Sequence, residues 1–132
     1  HQPDPEDPLS VLEAVGGFDV AGMCGLMLGG AIYRIPVVLD GLISLVAALL
    51  AQKLCPQVTD FLLPSHMGKE PACAMAMEKL GLEASIYGNL ALGEGTGAVM
   101  LFPLLDMAEA VYRENSTFEE IHVGAYQEFK EE

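Results

Sequence analysis

The spacing of apolar and polar positions changes period several times along the chain, and each change predicts an element. Leu9 to Val15 is opened by Asp7-Pro8, a capping carboxylate followed by proline at the first helical position, and closed by Gly16-Gly17, so a short helix is expected there. Val20 to Tyr33 carries a second helical pattern holding Gly22, Gly25, Gly29 and Gly30, small residues that weaken a helix but let another backbone pack against it. IPVVLDG, residues 35–41, is a β-branched apolar run stopped by Asp-Gly and reads as a buried strand; LISLVAALLAQKL, residues 42–54, is apolar around most of a helical circumference. The pattern then recurs: Asp60 to Pro64 as a strand, a polar loop SHMGKE, and a helix from Pro71 to Leu80 closed by Gly81. A third, weaker strand is expected near Ala84 to Tyr87, followed by a glycine loop and a helix from about Thr96 to Glu114. In that helix Pro103 removes a backbone donor and is expected to kink or restart it, while Asp106, Glu109 and Arg113 share a solvent face. Alternating strand and helix predicts an α/β fold, a parallel sheet with helices on both faces.

Composition sharpens this picture. The chain has 132 residues, 52% of them hydrophobic, with mean hydropathy +0.36, enough for one compact domain with an apolar interior. It opens HQPDPEDP, without Met or a signal-like region, and is therefore expected to be a piece of a longer protein. The uncharged runs reach 14 residues between Asp19 and Arg34, 12 from Gly41 to Gln52 and 11 from Gly95 to Leu105. All fall short of the roughly 20 that a membrane span needs, so a soluble protein is expected. Cys24, Cys55 and Cys73 lie 31 and 18 positions apart, which matches no zinc or disulfide spacing and suits reduced core thiols in a cytoplasmic protein.

The net charge of −13 is unevenly placed. Residues 1–19 hold five acids and no Lys or Arg, residues 106–132 hold eight acids against Arg113 and Lys130, and the middle has six acids against four bases. No cluster of cations offers itself to phosphates, which argues against nucleic acid as a partner. An anionic small molecule would have to be held by backbone N–H groups and helix N-termini.

In open parallel sheets ligands bind outside the carboxyl ends of the strands. Each loop at such an end carries polar groups or glycine: Asp40-Gly41, Ser65-His66 and Gly93-Glu94-Gly95. Gly93-x-Gly95-x-x-Ala98 formally fits a dinucleotide-binding pattern with Glu114 20 residues beyond Glu94, although no strong strand precedes it and Glu114 falls at a helix end. Glu94 among glycines and apolar neighbours suits a general base in a partly dry pocket, or else a carboxylate stabilised by a helix N-terminus. Ser65-His66 lacks a G-x-S-x-G elbow and an evident orienting acid, so it reads as a substrate-binding or helix-capping pair before it reads as a nucleophile and its base.

Four segments, HQPDPEDPLSVLEAVGGFDVAGM, IPVVLDG, LLPSH with the following KEP, and LGEGTGA, occur in an order and spacing that resembles the C-terminal part of the nicotinate-nucleotide–dimethylbenzimidazole phosphoribosyltransferase family. The resemblance covers the chain to about Asn115. It implies a Rossmann-like parallel sheet, incomplete here because the family's N-terminal half is missing, with residues 1–34 as a helical lead-in, 35–115 as the strand–helix core with substrate loops, and 116–132 as an acidic tail. It also implies a homodimer and a reaction of cobalamin nucleotide-loop assembly, in which nicotinate mononucleotide and dimethylbenzimidazole yield α-ribazole phosphate and nicotinate. No cofactor and no metal are expected. By the resemblance Glu94 is the general base, Leu92 meets the flat aromatic base, Gly93 binds substrate beside it, and Asp40, Gly41, Ser65, His66 and Gly68 line the nucleotide site. Relatives often carry Ser at the position of Gly68, where only a backbone N–H is available here. A glycine-rich stretch with its own acid and a phosphate-binding lysine are expected upstream, so this chain by itself is expected to be inactive. The competing readings are a non-catalytic interaction or dimerisation module and a dinucleotide-binding domain.

Overall fold

A computed structural model of the chain describes residues 2–91, 93–117, 119–122 and 124. Leu92 lies outside the described residues, as do 118, 123 and 125–132 of the expected acidic tail. The chain divides into two compact units, residues 1–102 and 103–132, and the division falls inside the last helix.

The first unit begins with helix α1, Pro8–Val15, whose start is set as the sequence predicts: the Asp7 carboxylate accepts the Leu9 N–H at 3.0 Å and Pro8 occupies the first turn. Helix α2 runs Phe18–Tyr33 and ends on Arg34, which takes the left-handed conformation (φ 57°) with no glycine to ease it; the Ile35 N–H closes the turn on the Gly30 carbonyl at 2.8 Å. Strand β1, Val37–Leu39, leads into helix α3, Leu42–Leu54. A 3-10 turn over Pro56–Phe61 precedes strand β2, Leu62–Pro64. Helix α4, Pro71–Leu80, is closed by Gly81 at φ 70°, again as predicted. Strand β4, Ile86–Leu90, precedes the glycine loop, and helix α5 runs Thr96–Glu114.

One expectation is corrected between β2 and α4. SHMGKE is not all loop: His66–Gly68 forms strand β3. Polar composition suggested a loop, but Ser65 and His66 are buried and their backbone is taken up by strand neighbours on either side. The segment 62–68 is thus a central strand with a break at Ser65. Its first half pairs in parallel with β1 (Val37 with Leu62, Leu39 with Pro64) and its second half in parallel with β4 (His66 with Ile86, Gly68 with Leu90). Two short ladders, each of two strands, therefore stand where one continuous sheet was expected. Ser65 joins them, its N–H donating to the Leu39 carbonyl at 3.0 Å and its carbonyl accepting the Ile86 N–H at 2.9 Å. The β3–β4 register is irregular, and the surplus residues on β4 include Asn89 at φ 54°.

The core joins Cys24 and Met27 of α2, Leu45, Ala47, Ala48 and Ala51 of α3, Val58, Leu62, and Cys73, Ala76, Met77 and Leu80 of α4. Three alanines on α3 bring helices close. Among the α2 glycines, Gly30 alone has the predicted close neighbour: a Cβ there would lie 2.6 Å from Val37 Cγ2 and 2.8 Å from the Ile35 carbonyl, whereas Gly22, Gly25 and Gly29 face open space. Helix α3 is also less enclosed than its composition predicts, since Ile43 and Val46 are exposed. In the second unit, Glu109 and Arg113 form the expected exposed ion pair one turn apart at 2.7 Å.

Candidate functional site

The carboxyl ends of β1, β2 and β4 bring three of the candidate segments together within the first unit. β1 ends at Leu39, so Asp40 and Gly41 form the turn into α3, and the Ser44 hydroxyl donates to the Gly41 carbonyl at 2.7 Å. β4 ends at Leu90, and the chain reaches Gly93, Glu94 and Gly95 just before α5. The two turns are fastened by one side chain. Asp40 Oδ2 accepts the Gly95 N–H at 3.2 Å and Oδ1 accepts the Ala98 N–H at 3.0 Å. A carboxylate 55 and 58 positions away thus caps the amides that the start of α5 leaves unpaired, where the helix dipole favours negative charge. Asp40 therefore supplies the capping carboxylate of this helix, and Glu94 lies two residues ahead of its start.

Glu94 is instead turned outward. It holds φ 59°, a left-handed conformation rarely adopted outside glycine, and it is followed by Gly95 at φ 80°. The Thr96 hydroxyl and N–H both donate to the Gly93 carbonyl, at 2.8 and 3.2 Å, and close the turn. Such backbone strain persists where the surroundings impose it, and it concentrates at functional sites. Glu94 is exposed and lies at a concavity of about 560 Å³ lined by Asp19, Met23, Asp40–Ser44, Glu70, Gly93 and Gly95. The dry surroundings expected for it are not supplied by the described residues. The lining holds four carboxylates, Asp19, Asp40, Glu70 and Glu94, and neither Lys nor Arg, so it favours a neutral or cationic group over a phosphate.

Ser65 and His66 stand behind this concavity, at 0% and 2% exposure. The Ser65 hydroxyl donates to the Asp40 carbonyl at 3.2 Å and lies 3.0 Å from His66 Nδ1. A hydroxyl has one hydrogen, so with that hydrogen on the Asp40 carbonyl His66 Nδ1 is the donor. The His66 ring in turn lies over Gly97 so closely that a Cβ there would overlap Nδ1 and Cε1 and come within 2.9 Å of Asp40 Oδ1. Gly97 is the residue that sequence reasoning missed. Its signal was present as the third glycine of GEGTG, but only the packing of His66 explains it.

Gly68 ends β3 against Cys73 and Glu70: a Cβ would lie 2.8 Å from Cys73 Sγ and 2.9 Å from Glu70 Oε2. A serine there, as the resemblance leads one to expect, would require the side-chain ends of Glu70 and Cys73 to shift. Burial pushes the Cys73 thiol above its ordinary 9.0, Glu70 adds to the rise by its charge and by a hydrogen bond, and a backbone hydrogen bond from Gly68 acts in the opposite sense. Among the described residues no group of three or more His, Cys, Asp or Glu is placed to hold a metal, and no helix is long and apolar enough to cross a membrane. Glu114, the acid of the dinucleotide pattern, is the last residue of α5 and not on a strand.

A family model described as "Phosphoribosyltransferase" matches residues 1–123. Among curated proteins, the nicotinate-nucleotide–dimethylbenzimidazole phosphoribosyltransferase of Clostridium acetobutylicum is 48% identical over 130 residues, covering 98% of this chain and 37% of that protein. The protein of the same name from Acetivibrio thermocellus is 44% identical over 127 residues, covering 96% of this chain and 36% of its own length. Among solved structures, the enzyme of that name from Thermus thermophilus superposes with a TM-score of 0.84 at 39% identity, covering 91% of this chain and 36% of that one. The chain thus spans a little over a third of the length of the relatives it matches.

Proposed function

This chain belongs to the phosphoribosyltransferase family, and from that premise we propose that it forms one wall of an active site that transfers the phosphoribosyl group of nicotinate mononucleotide to dimethylbenzimidazole. One observation carries the reading: the Asp40 carboxylate ties the turn after β1 to the glycine loop, so that Glu94 stands at a concavity whose acidic lining suits an uncharged or cationic ring. The unprotonated ring nitrogen of the benzimidazole attacks the anomeric carbon on the face opposite nicotinate. The new C–N bond forms as the old one breaks, its electron pair returns to the nicotinate nitrogen, and the configuration inverts to give α-ribazole phosphate. The attacking heterocycle becomes cationic and sheds its N–H proton to the Glu94 carboxylate.

In this reading Leu92 and Gly93 border the base, while the half-buried Asp40, Gly41 and Gly68 and the buried Ser65 and His66 shape the nucleotide side. The phosphate is held from elsewhere, because the lining of the concavity is acidic. The remaining length of a family protein supplies the opposite wall, encloses Glu94 and provides cations for the phosphate; this chain by itself does not turn over. Assembly as a homodimer in the cytoplasm completes the proposal; the exposed apolar side chains Phe18, Leu26, Ile32 and Tyr33 call for cover, by a second copy or by the remaining length of the family protein.

The test is a comparison of the full-length enzyme carrying this chain with its Glu94→Gln variant, following nicotinate release and α-ribazole phosphate by chromatography. The variant should lose about 10²–10⁴-fold in kcat with substrate binding kept. An unaltered rate in the variant overturns the assignment of Glu94 and points to a non-catalytic module, and robust turnover by this chain alone overturns the claim that a second wall is needed.

A further inference from the structure

We propose that Asp40 is a positioning residue for Glu94 and not a ligand of either substrate, an inference that rests on the reading of Glu94 as the base. Both carboxylate oxygens of Asp40 are already engaged, Oδ2 by the Gly95 N–H at 3.2 Å and Oδ1 by the Ala98 N–H at 3.0 Å. Gly95 directly follows Glu94, so the first of these bonds fixes the peptide that sets the direction of the Glu94 side chain. The loop needs such a fixture. Glu94 lies between two glycines at φ 59°, a conformation that an exposed glutamate in a free loop would leave, and a general base displaced by an ångström loses much of its effect.

Asp40 is itself held from behind. Its backbone carbonyl accepts the Ser65 hydroxyl at 3.2 Å, Ser65 meets His66 Nδ1 at 3.0 Å, and the His66 ring fills the space that a side chain at position 97 would need. The buried Ser65-His66 pair, which the sequence offers as a candidate nucleophile and base, thereby acquires a different role. It forms the rear support of a strap that runs from the β3 start through Asp40 to the Glu94 turn. With 0% and 2% exposure, neither side chain reaches a substrate from this position.

A double-mutant cycle in the full-length enzyme tests the assignment, using Asp40→Asn, Glu94→Gln and the pair together. Asn keeps the size of Asp but presents an N–H₂ to one of the two loop N–H groups, so one bond is lost without opening a cavity. Asp40→Asn should lower kcat about ten- to a hundredfold and leave KM for both substrates unmoved. The double variant should be no slower than Glu94→Gln, because a displaced base that is already disabled loses nothing more. A rise in KM for the nucleotide, or losses that multiply in the double variant, overturns the proposal and makes Asp40 a substrate ligand.

Amide hydrogen exchange at Gly95 and Ala98 gives a second readout that does not depend on catalysis. Asp40→Asn should release protection at the amide that loses its acceptor, Gly95 or Ala98, while the α3 core stays protected; unchanged protection at both amides overturns the strap. If Glu94→Gln alone leaves turnover intact, the base assignment fails, and the exchange result still decides whether Asp40 holds the loop. Should Asp40→Asn not fold, Ser65→Ala, which removes the support from behind, is measured in the same two ways with the same outcomes.

Discussion

Replacing Gly97 by alanine sets two physical effects against each other, and the structure decides which wins. In an exposed helix the change stabilises by about 0.5–1 kcal/mol, because glycine loses more backbone freedom on folding. At position 97 the added methyl has no room: it overlaps the His66 ring and comes within 2.9 Å of Asp40 Oδ1. His66 cannot step aside easily, since it is 2% exposed and paired with Ser65. Overpacking of this kind costs about 1–3 kcal/mol. If α5 retreats instead, the two amide bonds to Asp40 lengthen, and hydrogen bonds to a charged group are worth roughly 1.5–3 kcal/mol each. Either route leaves a net loss on the order of 2 kcal/mol, which lowers Tm by on the order of 10 °C in a unit of about 100 residues. Thermal unfolding followed by circular dichroism of the purified chain measures it. Gly25→Ala is the control, because nothing lies within 4 Å of a Cβ at Gly25, and it should be neutral or raise Tm slightly. A Gly97→Ala chain as stable as the Gly25→Ala chain refutes the contact between His66 and the start of α5.

Two further outcomes follow from the core. Leu45→Ala empties a side chain that is 1% exposed at the centre of the helix cluster, and urea unfolding should show a loss of about 2–5 kcal/mol; a loss under about 1 kcal/mol would remove Leu45 from the core. Burial raises the Cys24 and Cys73 thiols above the ordinary 9.0, so the folded chain keeps these protons where the unfolded chain has begun to release them. Their contribution to stability is complete below 9.0 and declines as pH rises beyond it. Urea midpoints at about pH 8 and about pH 10 should therefore fall less in a Cys24→Ala/Cys73→Ala chain than in the parent, and an equal fall in both chains contradicts the assignment.

Much of the fold could be read locally. Asp7-Pro8 starts α1, Gly81 stops α4, and the apolar runs at 37–39 and 62–64 become parallel strands because each local signal acts within one turn or one strand of its own residues. Four ordered motifs also carried the family, which the comparisons bear out. Local reading erred where burial overrides composition. SHMGKE looks like a loop by its polarity, yet Ser65 is held between β1 and β4, His66–Gly68 pairs with β4, and the hydroxyl and imidazole that make the segment look exposed meet each other. Arg34 ends α2 in a left-handed turn that nothing in its residue type predicts.

The site divides the same way. Residue type and glycine spacing were enough to single out Glu94 and Asp40 as candidates, because an acid between glycines and an acid at a strand end are unusual placements in sequence. That Asp40 spends both oxygens on amides 55 and 58 positions later, and that Gly97 must lack a side chain because a buried imidazole lies over it, are facts of tertiary packing. Hydrogen bonds and steric exclusion act over about 3 Å of space, not along the chain, so a sequence specifies the groups while only the folded backbone decides which of them meet.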